Sequence, residues 1–291
     1  MKIRSLLTLF SLCVLANLLQ AQDGDMLSML GDSQTTEVVT ASFKTDRVVN
    51  LESLENVAGG ELDIKIAHRF GFISGGAYEL YGLDQATIRI GGNYGITDRL
   101  MVGVGRSSYE KTFDAFSKFK LLRQTTGARK MPFTICLMGS VAVKTIKPTD
   151  PVRENFFSSK LFYTGQIIIG RKFSKSFSFQ LSPTIVHRNL VLTNAEKNDV
   201  LALGAGARIK LGKRTSLNAE YIYVLPNQLA PQYKNSLSLG FDIETGGHVF
   251  QLHFTNSTSM IEKGFIAENT GDWRHGDIHF GFNLSRTFSI K

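Results

Sequence analysis

The chain ends in GDIHFGFNLSRTFSIK, residues 276 to 291. Ile278, Phe280, Phe282, Leu284, Phe288 and Ile290 fall on even positions, whereas His279, Gly281, Asn283, Ser285, Thr287 and Ser289 fall on odd ones. A period of two puts the apolar side chains on one face of an extended strand and the polar ones on the other. Which face points inward decides the fold.

The pattern recurs upstream. In ELDIKIAHRF (61–70), Leu62, Ile64, Ile66 and Phe70 oppose Glu61, Asp63, Lys65 and Arg69. In ATIRIGGNYGI (86–96), Ile88, Ile90, Tyr94 and Ile96 oppose Arg89, Gly91, Asn93 and Gly95, and LSLGFDIE (237–244) repeats the design. Further runs near 100–108, 113–123, 133–145, 159–172, 176–189, 199–211, 215–225, 235–245, 248–257 and 277–290 bring the expected strands to twelve. No segment from Gly60 to Lys291 has a convincing helical period.

The connections carry a second pattern. ITDRL, KFSKS, LGKRTS and ETGGH are tight turns, and they alternate with longer segments such as IKPTDPVRENFF, PNQLAPQYKN and TNSTSMIEKGFIAENTGDWRHGD. An even strand count with short turns at one end and long loops at the other predicts an all-β fold, a single transmembrane antiparallel barrel. SYEKT is short for a loop and QTTGARKMP long for a turn.

Alternation also suits a soluble β-sandwich or a lipocalin-type barrel, so orientation needs separate evidence. The polar face holds Gly91, Gly95, Gly103, Gly105, Gly170, Gly204, Gly206, Gly240 and Gly281. Glycine weakens a strand and marks close approach or bending, which a crowded barrel interior requires. The ions interrupting the apolar face, His68, Arg106, Arg123, Arg171, His187 and Arg286, all lie in the outer third of their strands. A charge facing lipid costs about 2 to 4 kcal/mol at the bilayer midplane and little near its edges. The apolar face therefore meets lipid, and Leu239→Arg should harm assembly more than Ser238→Arg. Pro183, mid-strand in FQLSPTIVH, predicts a bulge, because a closed barrel has no edge where a missing N–H is harmless.

Residues 1–21, with Lys2, Arg4, an apolar run from Leu6 to Leu19 and a small residue at Ala21, read as a secretory signal peptide. Removing them takes two basic residues and no acidic one from a chain with 33 basic and 25 acidic, leaving a net charge of +6. Cys136 is then the one cysteine, so no internal disulfide can form. Lysine and arginine form no run, and a nucleic-acid partner is not expected. Residues 22–59 read as an N-terminal arm or plug on the periplasmic side, a flexible arm being the simpler reading. An amphipathic stretch spans 26 to 30 and an extended piece runs from 41 to 49. Residues 60–291 make the barrel.

SFKTDRVVN (42–50), GELDIKIAHRFG (60–71) and above all GLDQATIRIGGNYGITDRLMVGVGRSSYEKTFDAFSKFKLLRQ (82–124) resemble an uncharacterised family of Bacteroidota β-barrel proteins, domain of unknown function 5777. The resemblance runs from about residue 41 to the C-terminus. It implies an outer-membrane β-barrel and brings no assigned activity.

Chemistry in the chain is sparse. His279 and Ser285 share a face but are too far apart for a nucleophile and its base. His253 approaches His279 across a hairpin, as two polar lumen residues rather than a metal pair. LGAGAR and IGGNYG open no helix, so they are strand glycines, not phosphate loops. Neither an enzyme nor a cofactor is expected. Trp273, Tyr221, Tyr223, Phe177 and Phe288 suit interfacial aromatic girdles. The lumen-lining candidates are Arg69, Arg89, Lys144, Arg188, Lys118, Lys120, Asp242, Glu244, His253 and His279, with Arg69, Arg89, Lys144 and Arg188 toward the outer mouth. Basic rings favour anions. The expectation is an exported barrel of the Gram-negative outer membrane, in contact with its lipid and with barrel-assembly machinery. It would be either a small pore with mild anion preference, open to a small anionic solute, or a binding or scaffold barrel. A periplasmic or secreted soluble β-protein is the alternative, and an outer-membrane hydrolase the third.

Overall fold

The computed structural model describes residues 35–147, 156–191 and 193–290. The expected signal peptide and the amphipathic stretch at 26 to 30 lie outside them. Twelve strands follow in chain order: β1 (Glu61–Phe72), β2 (Ala86–Gly95), β3 (Leu100–Ser107), β4 (Phe113–Leu122), β5 (Thr134–Val143), β6 (Leu161–Lys172), β7 (Phe177–Arg188), β8 (Asp199–Lys210), β9 (Thr215–Val224), β10 (Ser236–Thr245), β11 (His248–Thr255) and β12 (His279–Ser289). Each pairs antiparallel with its neighbours in sequence, and β12 pairs with β1, from Phe288 opposite Leu62 to His279 opposite Phe72, closing the barrel. The start of β1, the end of β12 and five connections, short except for 123–133, lie at one end, the turn end. The other six, long except for 108–112, lie at the opposite end, the loop end.

The alternation sets the faces as read. Outward Ile90 is 53% exposed and Leu239 43%, while inward Arg69 is 1% and Lys118 0%. The outward ions sit near strand ends and lean on aromatic rings. The Arg106 guanidinium lies 5.4 Å from the ring centre of Phe113, Arg171 5.4 Å from Phe173, and Arg286 4.9 Å from Phe288. A cation over a ring face retains part of the stabilisation that it loses on leaving water.

Three features depart from the sequence reading. Pro183 makes no bulge. It pairs with Leu203 in an unbroken β7–β8 ladder, and on the β6 side the pairing lapses at that level and resumes at Ile169–Leu181 without a shift of register. The missing N–H thus falls in a gap of the ladder rather than forcing an extra residue. A six-residue helix, α1 (Glu262–Ala267), stands in the long loop before β12, too short to leave a period in the sequence. Finally, QTTGARKMP is long because Thr125 and Thr126 pair with Val38 and Glu37, holding the N-terminal segment against the turn end.

Candidate functional site

The barrel encloses two segments of its own chain. Residues 41–57, expected as a flexible arm with an extended start, instead enter from the turn end, fold back inside and leave toward β1. Phe43, Val48, Val49, Leu51 and Leu54 are buried there. Every strand touches this loop. The Glu220 carboxylate of β9 accepts hydrogen bonds from the backbone N–H groups of Val49, Asn50 and Leu51 at 2.9 to 3.0 Å. Gln251 of β11 donates to the Val48 carbonyl at 2.7 Å, Asn283 of β12 to that of Val49 at 3.2 Å, and Gln180 of β7 to that of Glu52 at 2.7 Å. The ammonium of Lys118 on β4 reaches Glu52 at 2.8 Å and the carbonyl of Asp46 at 3.1 Å. Lys65 of β1 and Asn93 of β2 both donate to the Asp46 carboxylate. Asn50 donates to Ser238 of β10 at 3.0 Å, Met101 of β3 accepts from the Val57 N–H, and Cys136 of β5 lies against the Leu54 carbonyl. A segment in contact with all twelve staves of a barrel lies at its axis.

Four of the inward glycines have their reason in this loop. A Cβ on Gly170 would stand 2.7 Å from Leu54, on Gly204 3.0 Å from Leu51, on Gly206 3.0 Å from Val48 and on Gly240 2.9 Å from Val49. Four missing side chains on β6, β8 and β10 make the room that the loop fills.

The second segment descends from the loop end. Residues 256–270, with α1 wholly buried, close the lumen from that side. Arg47 joins the two segments, meeting Glu52 at 2.9 Å and Glu262 at 3.1 Å. Phe265, Ile266 and Ala267 pack with Leu51, Leu54 and the inward apolar residues Ile168, Val186, Val200, Ala202 and Ile222 into one hydrophobic core inside the barrel. Sequence reasoning missed these five residues. The signal was present, since QIIIG, TIVH and VLAL are apolar on both faces, which a water-filled lumen would not tolerate.

The candidate lumen residues are inward but engaged. Arg69 donates to Asn50, Asn283 and the His68 carbonyl. Arg89 grips Asp114 through two nitrogens. Arg188 meets Glu196 at 2.8 Å, and Asp242 accepts from Ser216, Asn218 and Gln251. At the loop end Lys144 pairs with Glu110, and at the turn end Glu244 pairs with Lys44 while Lys120 stands 3.9 Å from Glu55. Among the described residues these side chains form no open basic ring: Arg69 and Arg89 lie deep and partnered, because burying a guanidinium requires acceptors. His279 uses both ring nitrogens, on Thr258 at 2.8 Å and on the Phe70 carbonyl at 2.6 Å. His253 is buried opposite Gly281 and has no hydrogen-bond partner on either nitrogen. Among the described residues no group of three or more His, Cys, Asp or Glu side chains is placed to hold a metal ion.

Between the loops at the rim of the loop end a cleft of about 470 Å³ remains, lined by Tyr109, Glu110, Lys144, Lys160, Arg188 and Tyr233. Burial would raise the Glu110 carboxyl, but the charges and hydrogen bonds of Lys263 and Lys144 hold it below its ordinary value.

Residues 43–288 match the model of a family described as a membrane bound beta barrel domain. Among solved structures the chain is similar to a NanC porin, at 6% identity and a TM-score of 0.49, covering 79% of this chain and 99% of that one. It is similar to a KdgM porin at 8% identity and 0.46, with the same coverage. It also aligns with OmpT, an outer membrane protein of Vibrio cholerae, at 8% identity and 0.36, covering 80% of this chain and 99% of that one. No curated protein matches it.

Proposed function

We propose, from the premise that this chain belongs to the family of membrane bound beta barrel domains, that it is an outer-membrane barrel closed at rest. It serves as a binding or scaffold barrel rather than as a standing conduit. The observation that carries this reading is the contact of residues 41–57 with all twelve strands, above all the three backbone N–H groups held by Glu220. A solute crossing the lumen would have to displace that loop and α1 together. The loop-end cleft, with Lys144, Lys160 and Arg188 beside Glu110 and Glu268 on its walls, is the place for a small solute to bind without passing. No catalytic step belongs to this reading.

The full-length protein should fractionate with outer membranes, migrate differently on SDS gels before and after boiling, and show no steady conductance in planar bilayers. A stable open channel from correctly folded protein would overturn closure, and recovery in the soluble periplasmic fraction would overturn the location.

A second reading, a pore that opens when the loop moves, has one observation in its favour. Much of the grip on residues 46–53 is hydrogen bonding to their backbone, which water can replace.

A further inference from the structure

On the outside of the barrel, where β9 and β10 reach the loop end, lies a recess of about 430 Å³ that the closed lumen does not use. Its floor belongs to the membrane-facing surface: Tyr221 and Leu237 are opposite each other in the ladder and both face outward. Tyr221 is 43% exposed, and its hydroxyl is turned to the loops, where it accepts from the Asn235 amide at 2.9 Å. Trp273, from the WRHGD stretch, donates its indole N–H to the Leu237 carbonyl at 3.0 Å. A phenol and an indole with apolar bodies and hydrogen-bonded polar tips mark the depth at which hydrocarbon gives way to headgroups. Lys234 and Arg274, both exposed, line the recess beside them.

The recess is braced from behind. Buried Asn256 donates to the carbonyls of Asn235 and Gly271 and accepts from the Leu237 N–H, tying the start of β10 to the loop that carries Trp273 and Arg274. The one carboxylate in the recess, Asp272, is occupied locally, accepting from the Arg274 N–H at 2.9 Å with the His275 ring 3.9 Å away. Two cations therefore stand over an apolar, aromatic floor at the height of the headgroups.

We infer that this recess is a binding site for the phosphate-bearing headgroup of a membrane lipid, with Lys234 and Arg274 on the phosphate and Trp273, Tyr221 and Leu237 against the glycerol and upper acyl chains. Continuity with the lipid-facing belt distinguishes it from a site for free phosphate, which would have no use for the floor.

Native mass spectrometry of the full-length protein, folded in a neutral detergent, tests the assignment. Phosphatidylglycerol should bind about tenfold more tightly than a diacylglycerol of the same chains, since each cation near a membrane surface adds a several-fold preference for an anionic lipid. Lys234→Glu with Arg274→Glu should reduce that preference to within about twofold, whereas Lys213→Glu with Arg214→Glu, at the turn end, should leave it intact. Heat-shifted mobility on gels shows that each variant is folded. Should the double reversal not fold, Arg274→Gln alone should weaken phosphatidylglycerol about fivefold. An unchanged preference in the folded loop-end variants overturns the site. Displacement of the lipid by millimolar inorganic phosphate overturns the lipid assignment.

Discussion

The two halves of the lumen hold the same loop by different means. Along β5 to β9 the wall presents Cys136, Ile168, Val186, Val200, Ala202 and Ile222, and the loop answers with Leu51 and Leu54, with Glu220 and Gln180 holding the loop's backbone beside them. Along β12 and β1 to β4 it presents Asn283, Lys65, Arg69, Asn93 and Lys118, and the loop answers with Asp46, Asn50 and Glu52. The apolar half supplies net stabilisation, about 1.5 to 3 kcal/mol for each fully buried side chain. The ionic half supplies little net energy, because desolvation offsets most of the Coulombic gain, but it penalises any other placement of the loop. One half makes the plug stable and the other fixes its position.

On this division the largest single loss lies on the ionic side. Glu52→Ala leaves Lys118 and Arg47 facing each other without a shared partner and should lower stability by about 3 to 5 kcal/mol. Urea unfolding followed through Trp273, the only tryptophan, measures it. Replacing Glu52 and Lys118 together by Met should recover much of that loss, and failure to do so would break the comparison. Leu51→Ala should cost about 2 to 4 kcal/mol by opening a cavity, with no rescue from any charge change. Gly204→Val, which thrusts a side chain at Leu51, should cost about 1 to 3 kcal/mol, and Leu51→Ala in the same chain should relieve part of it.

The smallest effect is that of the loop-end pair. Since the Glu110 carboxyl is held below its ordinary value, its ion pairs contribute fully above that ordinary value and are lost as pH falls through the lowered one. Glu110→Gln should be slightly less stable than wild type at neutral pH, and the gap should close on acidification through the lowered Glu110 value. A gap that widens there would reverse the sign.

Strand number, faces and ends were legible because a two-residue period is local and survives in each strand separately. Lys118, Arg69 and Asp242 could be placed inward by parity alone. The loop partners of Lys118 and Arg69 could not be found, since Glu52 and Asn50 belong to a stretch with no period, whose conformation is dictated by twelve walls distant in sequence. The same gap misdirects the mutational expectation for Ser238. Its hydroxyl lies against Asn50 and Thr255 at full burial, so an arginine there has nowhere to go and should not be milder than Leu239→Arg. The both-sides-apolar runs on β6 to β8 were the legible trace of the loop, since an inner face that avoids water requires something to pack against.

The position of residues 41–57 immediately upstream of β1 has a consequence for biogenesis. β1 and β12 form the seam that joins the first part of the barrel to be synthesised with the last. The loop enters and leaves by the turn end and precedes every stave in the chain. Placed between the staves before that seam shuts, it would act as a mandrel, offering the strands added in turn the glycine hollows and charged grips of a former already in place.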